Sequence, residues 1–340
     1  LIKAAERPLI IAGGGTIYAG ASEELRALAT ATGIPVGDTQ AGKGAINFDH
    51  PSAVGGVGST GCDSGNHIAD KADLIIGVGT RYSDFTTASK TQFKNPDVKF
   101  VNINVTPFDA AKESAEMVVA DAREALAALK EALADYHVEA AYSDEITAEK
   151  EAWLKATERC YHLDHGPLPA QTEVFGALNE LMGEEDVVIN AAGSMPGDLQ
   201  ALWQARSPLQ YHVEYAFSCM GYEVPAAMGV KLARPEAEVV AIVGDGTYQM
   251  LPMELATVVQ ENIKVIYVLL QNYGFCSIGA LSESRGSQRF GTKYRRRGEG
   301  SHLADEQVID GVDIAANARS WGLDVLEVHT IEEFKEAYRK

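Results

Sequence analysis

The sequence predicts an α/β protein made of two doubly wound parallel-sheet domains. Three observations predict it. Short β-rich apolar runs alternate with helical stretches over roughly the first 135 residues, the same rhythm resumes near residue 170, and 340 residues are too many for one ordinary core. Strands separated by helices pair in parallel through βαβ crossovers. Single cores usually stop growing by ~250–300 residues, so two domains are expected.

The elements follow in order. PLIIAGGG from Pro8 reads as a strand, SEELRALATATG from Ser22 as a helix, DLIIGVGTR from Asp73 and KFVNINV from Lys99 as strands, and DAREALAALKEALADY from Asp121 as a helix. GGGTIYAG, from Gly13, does not satisfy the dinucleotide fingerprint GxGxxG, because Tyr18 stands where its last glycine belongs. These residues define a first domain over 1–138. Residues 139–168 turn polar and end near Gly166, Pro167 and Pro169, which stop a helix and redirect the chain, so they are expected to link the domains. The second domain, 169–340, is expected to be truncated at its C-terminus. It opens with the helix TEVFGALNELMG and the strand DVVINAAG, and continues with helix EVPAAMGVKLA, strand EVVAIVGDG, helix MELATVVQEN and strand KVIYVLLQN. A helix, a strand and a helix are expected to close the chain between Asp313 and Lys340.

Composition narrows the function classes. Lys and Arg number 29 against 48 Asp and Glu, a net charge of −19 that repels nucleic acid and anionic membranes. No apolar run approaches the ~20 residues of a membrane-spanning helix. Cys62, Cys160, Cys219 and Cys276 lie far apart with no CxxC pair, so neither a zinc site nor a disulfide framework is indicated and a reducing cytoplasm is expected.

The chemistry gathers at strand ends in the second domain. Gly244-Asp245-Gly246-Thr247 follows the apolar strand EVVAIV, and Asn272 follows KVIYVLL. Ligands of open α/β sheets collect at the C-terminal ends of strands, where glycines let main-chain N–H groups approach phosphate. If the two strands are neighbours, Asp245 and Asn272 emerge at one edge. A carboxylate, an amide oxygen, a main-chain carbonyl, two phosphate oxygens and a water make the octahedral oxygen shell of Mg²⁺. The bland alternative is that GDG is only a turn.

GDG, followed after a helix and a strand by Gln271-Asn272-Tyr273-Gly274, resembles the signature of the thiamine-diphosphate-dependent enzymes. The usual first Asn of that signature is Gln271 here. The resemblance implies thiamine diphosphate and Mg²⁺ as cofactors, with Asp245, Asn272 and the carbonyl of Gly274 as metal ligands. Ser218-Cys219-Met220-Gly221-Tyr222 with Pro225-Ala226-Ala227 resembles the segment that props the cofactor in its bent conformation. Met220 is then the pillar beneath the rings, and the carbonyl of Ser218 and N–H of Met220 meet the aminopyrimidine. Gly193 and Ser194 occupy the loop that in relatives contacts the diphosphate, and the resemblance implies that Gly244, Gly246 and Thr247 of the GDG turn bind the cofactor too. Residues 1 to 130 resemble the family's central domain.

The segments GDLQALW, YHVEYAFSCMGYE and FGTKYRRR resemble members of the family that open a small cyclic diketone by hydrolysing a C–C bond. Breaking a bond between adjacent carbonyls needs a carbon nucleophile that then stores negative charge, which suits this cofactor. The resemblance also implies that the activating glutamate comes from a domain outside this chain and that the complete protein is a homo-oligomer, dimer or tetramer. Acetolactate synthesis, 2-oxo-acid decarboxylation and a catalytically silent cofactor-binding module are the rival readings. His212 and Glu214 are candidates for substrate contact or proton transfer. Arg285, Arg289, Lys293, Arg295, Arg296 and Arg297 form a basic stretch that either shields developing oxyanions or is a solvated face, and none is assigned a catalytic role. Cys219 and Cys276 lack a base partner that would make either a nucleophile.

Overall fold

The computed structural model describes residues 1–215, 217–287, 289, 291–295 and 312–340. The chain forms two compact units, the first made of Leu1–Leu163 with Gly197–Tyr211, the second of Asp164–Pro196 with His212–Lys340. Among the described residues no helix is long and apolar enough to cross a membrane.

The first unit is built on six parallel strands: β1 Pro8–Ala12, β2 Val36–Asp38, β3 Ala53–Gly56, β4 Leu74–Val78, β5 Lys99–Asn104 and β6 Glu116–Val119. Their order is β3-β2-β1-β4-β5-β6, so strand order reverses between β1 and β4. Such a reversal is where a doubly wound sheet usually opens a ligand crevice. Here the crevice is filled by main chain. Gly13 N–H donates to the Val78 carbonyl (2.8 Å) and Gly15 N–H to that of Gly79 (3.0 Å), so these donors are spent within the sheet. A Cβ on Gly13 would stand 2.4 Å from the Gly79 oxygen, which explains why glycine occupies that position.

Within the expected linker, Ala140–Tyr161 is a single helix of 22 residues. Its buried side chains, Tyr142, Ile146, Trp153, Thr157 and Tyr161, share one face, and its polar sequence is that of the opposite face. Tyr142 Oη donates to the Pro8 carbonyl (3.1 Å), Trp153 Nε1 to that of Ala201 (2.7 Å) and Tyr161 Oη to that of Leu202 (2.6 Å). The excursion Gly197–Tyr211 is held in the same unit: Gln200 Nε2 donates to the Val57 carbonyl (3.3 Å), Tyr211 Oη to Gln40 Oε1 (3.0 Å), and Trp203 is wholly buried.

The second sheet is built from β7 Val187–Asn190, β8 Tyr211–Val213, β9 Val239–Gly244 and β10 Ile266–Leu270, in the order β10-β9-β7-β8, and apart from Tyr211 these residues belong to the second unit. β9 pairs in parallel with both β7 and β10 and is buried along its whole length, as its unbroken apolar run requires. The helix Glu223–Ala233 packs on β7 and β9. At the chain's end the helices Ile314–Ser320 and Ile331–Tyr338 form, but the strand expected between them does not. The alternating pattern there is that of an extended segment, and a strand also needs a ladder partner, which this segment does not find among the described residues.

Candidate cofactor and metal site

The register of the second sheet decides the geometry. Leu270 pairs with Gly244, so the two chains leave the sheet side by side, one into Asp245 and the other into Gln271 and Asn272. Asp245 is fully buried. Its Oδ1 accepts from Gly246 N–H (2.9 Å) and its Oδ2 from Tyr273 N–H (2.7 Å). Burial raises the carboxyl's pKa above its ordinary value, while the N–H groups of Tyr273, Gly246, Gly274 and Asn272 pull it back down. These opposing donors are all main-chain groups. A buried carboxylate held this way is a ready ligand for a cation.

Asn272 shows what the site accommodates. One end of its amide lies 3.2 Å from Asp245 Oδ1 and 3.0 Å from the Gly274 carbonyl oxygen. With nitrogen in that place the amide donates to both and the site is self-satisfied. With the amide turned over, an oxygen joins two oxygens at these separations. Cis ligands of an octahedron with ~2.1 Å bonds stand about 3 Å apart, so the donor set suits Mg²⁺ in kind and spacing. Among the described residues there is no group of three or more His, Cys, Asp or Glu side chains able to hold a metal, so softer coordination has no comparable site there.

Other predicted residues lie around this edge. Gly193 and Ser194 are exposed at the end of β7, Gly193 with φ +85°, and the Ser194 hydroxyl donates to Gln171 Oε1 (3.0 Å). A Cβ on Gly244 would stand 3.0 Å from Met195 Cε, so this loop abuts the end of β9. Ser218, at φ +51°, and Met220 lie in the loop between β8 and the helix Glu223–Ala233, half-buried. That loop is tied to the Asp245 segment, because Gly221 N–H donates to Thr247 Oγ1 (2.9 Å). Gly246 packs against Phe275, whose ring a Cβ would meet at 2.8 Å.

The flanking candidates divide. His212 Nε2 lies 2.7 Å from Tyr222 Oη with the rings stacked, and burial lowers its pKa, which disfavours the charged imidazolium beside the Met220 loop. Glu214 Oε2 accepts from Cys219 N–H (2.7 Å), a loop-positioning contact. Burial, the nearby Asp245 charge and the incomplete compensation from Arg289 and Lys293 raise the Cys276 thiol, which disfavours a thiolate. Of the basic stretch, Arg289 pairs with Glu283, Lys293 bridges to Gly274 in an antiparallel contact, and Arg296 and Arg297 lie outside the described residues. Phe275 N–H donates to the Thr292 carbonyl (2.7 Å) and Tyr294 N–H to that of Tyr273 (3.0 Å), so this stretch brackets the turn at residues 272–274. Sequence reasoning missed Tyr273, whose N–H reaches Asp245, and Tyr294, hydrogen-bonded to Gln249. It also missed Glu223, wholly buried at the start of its helix. A glutamate within an apolar stretch was the available signal.

Residues 1–129 match the family described as thiamine pyrophosphate enzyme, central domain, and residues 191–340 match thiamine pyrophosphate enzyme, C-terminal TPP binding domain. With both halves matched, the chain belongs to the thiamine pyrophosphate enzyme family. Among its relatives, it is 43% identical over 99% of its length to a 3D-(3,5/4)-trihydroxycyclohexane-1,2-dione hydrolase of Bacillus cereus strain AH820. It is 44% identical over 100% of its length to 3D-(3,5/4)-trihydroxycyclohexane-1,2-dione hydrolase 2 of a second Bacillus cereus strain, and 43% identical over 99% to the hydrolase so named of Bacillus thuringiensis strain Al Hakam. The chain spans 56% of the length of each of these relatives.

Proposed function

We propose that this chain supplies the diphosphate- and Mg²⁺-binding part of an enzyme that opens 3D-(3,5/4)-trihydroxycyclohexane-1,2-dione by C–C bond hydrolysis, giving 5-deoxyglucuronate in inositol degradation. The observation that carries the reading is the convergence of Asp245, the Asn272 amide and the Gly274 carbonyl at one sheet edge, in a chain 43% and 44% identical to hydrolases of that name. In this reading residues 1–138 are the central domain and 169–340 the cofactor domain. Thiamine diphosphate supplies a carbon nucleophile and an electron sink when bound. Asp245, Asn272 and Gly274 would hold Mg²⁺, and Gly193, Ser194, Gly244, Gly246 and Thr247 would hold the diphosphate. Ser218 and Met220 would orient the cofactor's rings. A homo-oligomeric protein in the cytoplasm belongs to the same proposal.

The test is ring opening of the dione by the purified protein at its full natural length, with and without thiamine diphosphate and Mg²⁺. Turnover is expected only with both, and Asp245→Ala is expected to lower it by at least ~100-fold, about 2.7 kcal/mol or more of transition-state stabilisation. Turnover of pyruvate in place of the dione would move the enzyme to acetolactate synthesis or 2-oxo-acid decarboxylation. Cofactor binding unaffected by Asp245→Ala would remove the site assignment itself.

A further inference from the structure

Glu223 is wholly buried, and neither carboxyl oxygen has a hydrogen-bond partner. An orphaned carboxyl inside a protein is costly, and such groups persist where a ligand completes them. Its surroundings identify the ligand. The N–H groups of Ala192, Gly221 and Glu223 itself and the Thr247 hydroxyl point toward the carboxyl and pull its pKa down, but none completes a well-formed hydrogen bond to it. Ala192 precedes Gly193 and Ser194, Gly221 follows Met220, and Thr247 closes the GDGT turn. Two segments proposed to surround the diphosphate and the segment proposed to hold the rings therefore meet at this side chain.

We infer that Glu223 is a positioning residue that donates its carboxylic acid proton in a hydrogen bond to a phosphoryl oxygen of the cofactor. The inference rests on the proposed cofactor site. An ionised carboxylate beside a diphosphate would repel it, whereas the protonated acid offers one O–H donor to an anionic acceptor, a strong pairing. The environment favours that form: burial pushes the Glu223 carboxyl up to about 7, and the standing-off donors only moderate the rise. Little else ionises around it. Of the elements packed on its helix, β7 brings no titratable group, β9 leads into Asp245, and the helix Glu254–Gln260 brings Glu254, which accepts from Thr257. β10 brings Tyr267, whose hydroxyl donates to the Val224 carbonyl, and the adjoining loop brings Tyr222 with His212. None of these charges is among the causes of the Glu223 shift.

Calorimetric titration of the apoprotein with thiamine diphosphate, and separately with inorganic pyrophosphate, both in Mg²⁺, tests this across a pH range bracketing the Glu223 value of about 7. Glu223→Gln keeps a donor of the same shape and is expected to bind both within about threefold of wild type on the acid side of that range. Glu223→Ala is expected to bind both at least about tenfold more weakly, the cost of a lost charge-assisted hydrogen bond. The ratio of wild-type to Glu223→Gln affinity should fall as pH rises through about 7, when the wild-type donor is lost. Equal pyrophosphate affinity for Glu223→Ala and wild type overturns the inference. So does an affinity ratio that rises with pH, which would make the ionised carboxylate a cation ligand instead. If the alanine variant does not fold, the glutamine comparison decides alone, with parallel profiles counting against the donor. Wild type that binds neither probe, or Asp245→Ala that binds like wild type, removes the underlying site and this inference with it.

Discussion

Glu223 also shapes the stability of the apoprotein. Its carboxyl is raised from an ordinary 4.5 to about 7 in the folded chain, so the folded state holds the proton more tightly than the unfolded state does. Stability from this group is intact below about pH 4.5, declines as pH rises, and is fully lost once pH exceeds about 7. A shift of that size amounts to roughly 3 kcal/mol. Urea denaturation on either side of this window, at about pH 5 and about pH 8, should show a drop of that order in wild-type apoprotein relative to Glu223→Gln. A variant that follows the wild-type profile would show that the carboxyl does not titrate in this range. Asp245 and Glu223 differ in how far the sequence reveals them. Asp245 stood out because a carboxylate between glycines at one strand end is matched by Asn272 just past the next apolar strand, whereas GDG alone reads equally as a turn. Glu223 did not, because its meaning lies in the absence of partners, and a sequence shows neighbours in the chain but not vacancies in space.

Among the elements, apolar runs such as PLIIA and VVAIVG announced their strands plainly. The closure of β1 against β4 depends on a detail below that resolution. Gly13→Ala places a methyl group 2.4 Å from the Gly79 oxygen and 2.6 Å from Thr80 Cα, against main chain that cannot rotate away. A loss of about 1–3 kcal/mol or more is expected, as for other overpacked sites. Gly20→Ala is the control: at φ +63° but with open space around it, it should cost only about 1–2 kcal/mol of backbone strain. Equal effects in urea denaturation would mean that close approach is not what selects Gly13. The expected closing strand was misjudged, and three-residue β8 went unread, for one reason. Strand pattern describes a local shape, whereas membership of a sheet is decided by what lies alongside. The helix Ala140–Tyr161 escaped notice because its polar face dominates its composition, although its buried residues recur at helical spacing.

At the scale of the whole molecule, the family and both sheets were legible, and the discontinuous make-up of the first unit was not. Nothing in the run GDLQALW signals that Gly197–Tyr211 belongs with residues far upstream; only tertiary packing shows it. Trp203 anchors that segment with no exposed surface. Trp203→Ala should cost about 3–5 kcal/mol, read as an earlier denaturation transition of the unit carrying residues 1–163. An unchanged profile would show the segment to be a passive passenger. The same discontinuity orders events during synthesis. A nascent chain that has emerged through Leu163 still lacks the tryptophan and glutamine that complete its first sheet unit, and must wait for a further 48 residues before Tyr211 appears. At ~5–20 residues per second that is an interval of several seconds, in which a half-finished apolar surface is open to chaperones or to misassociation.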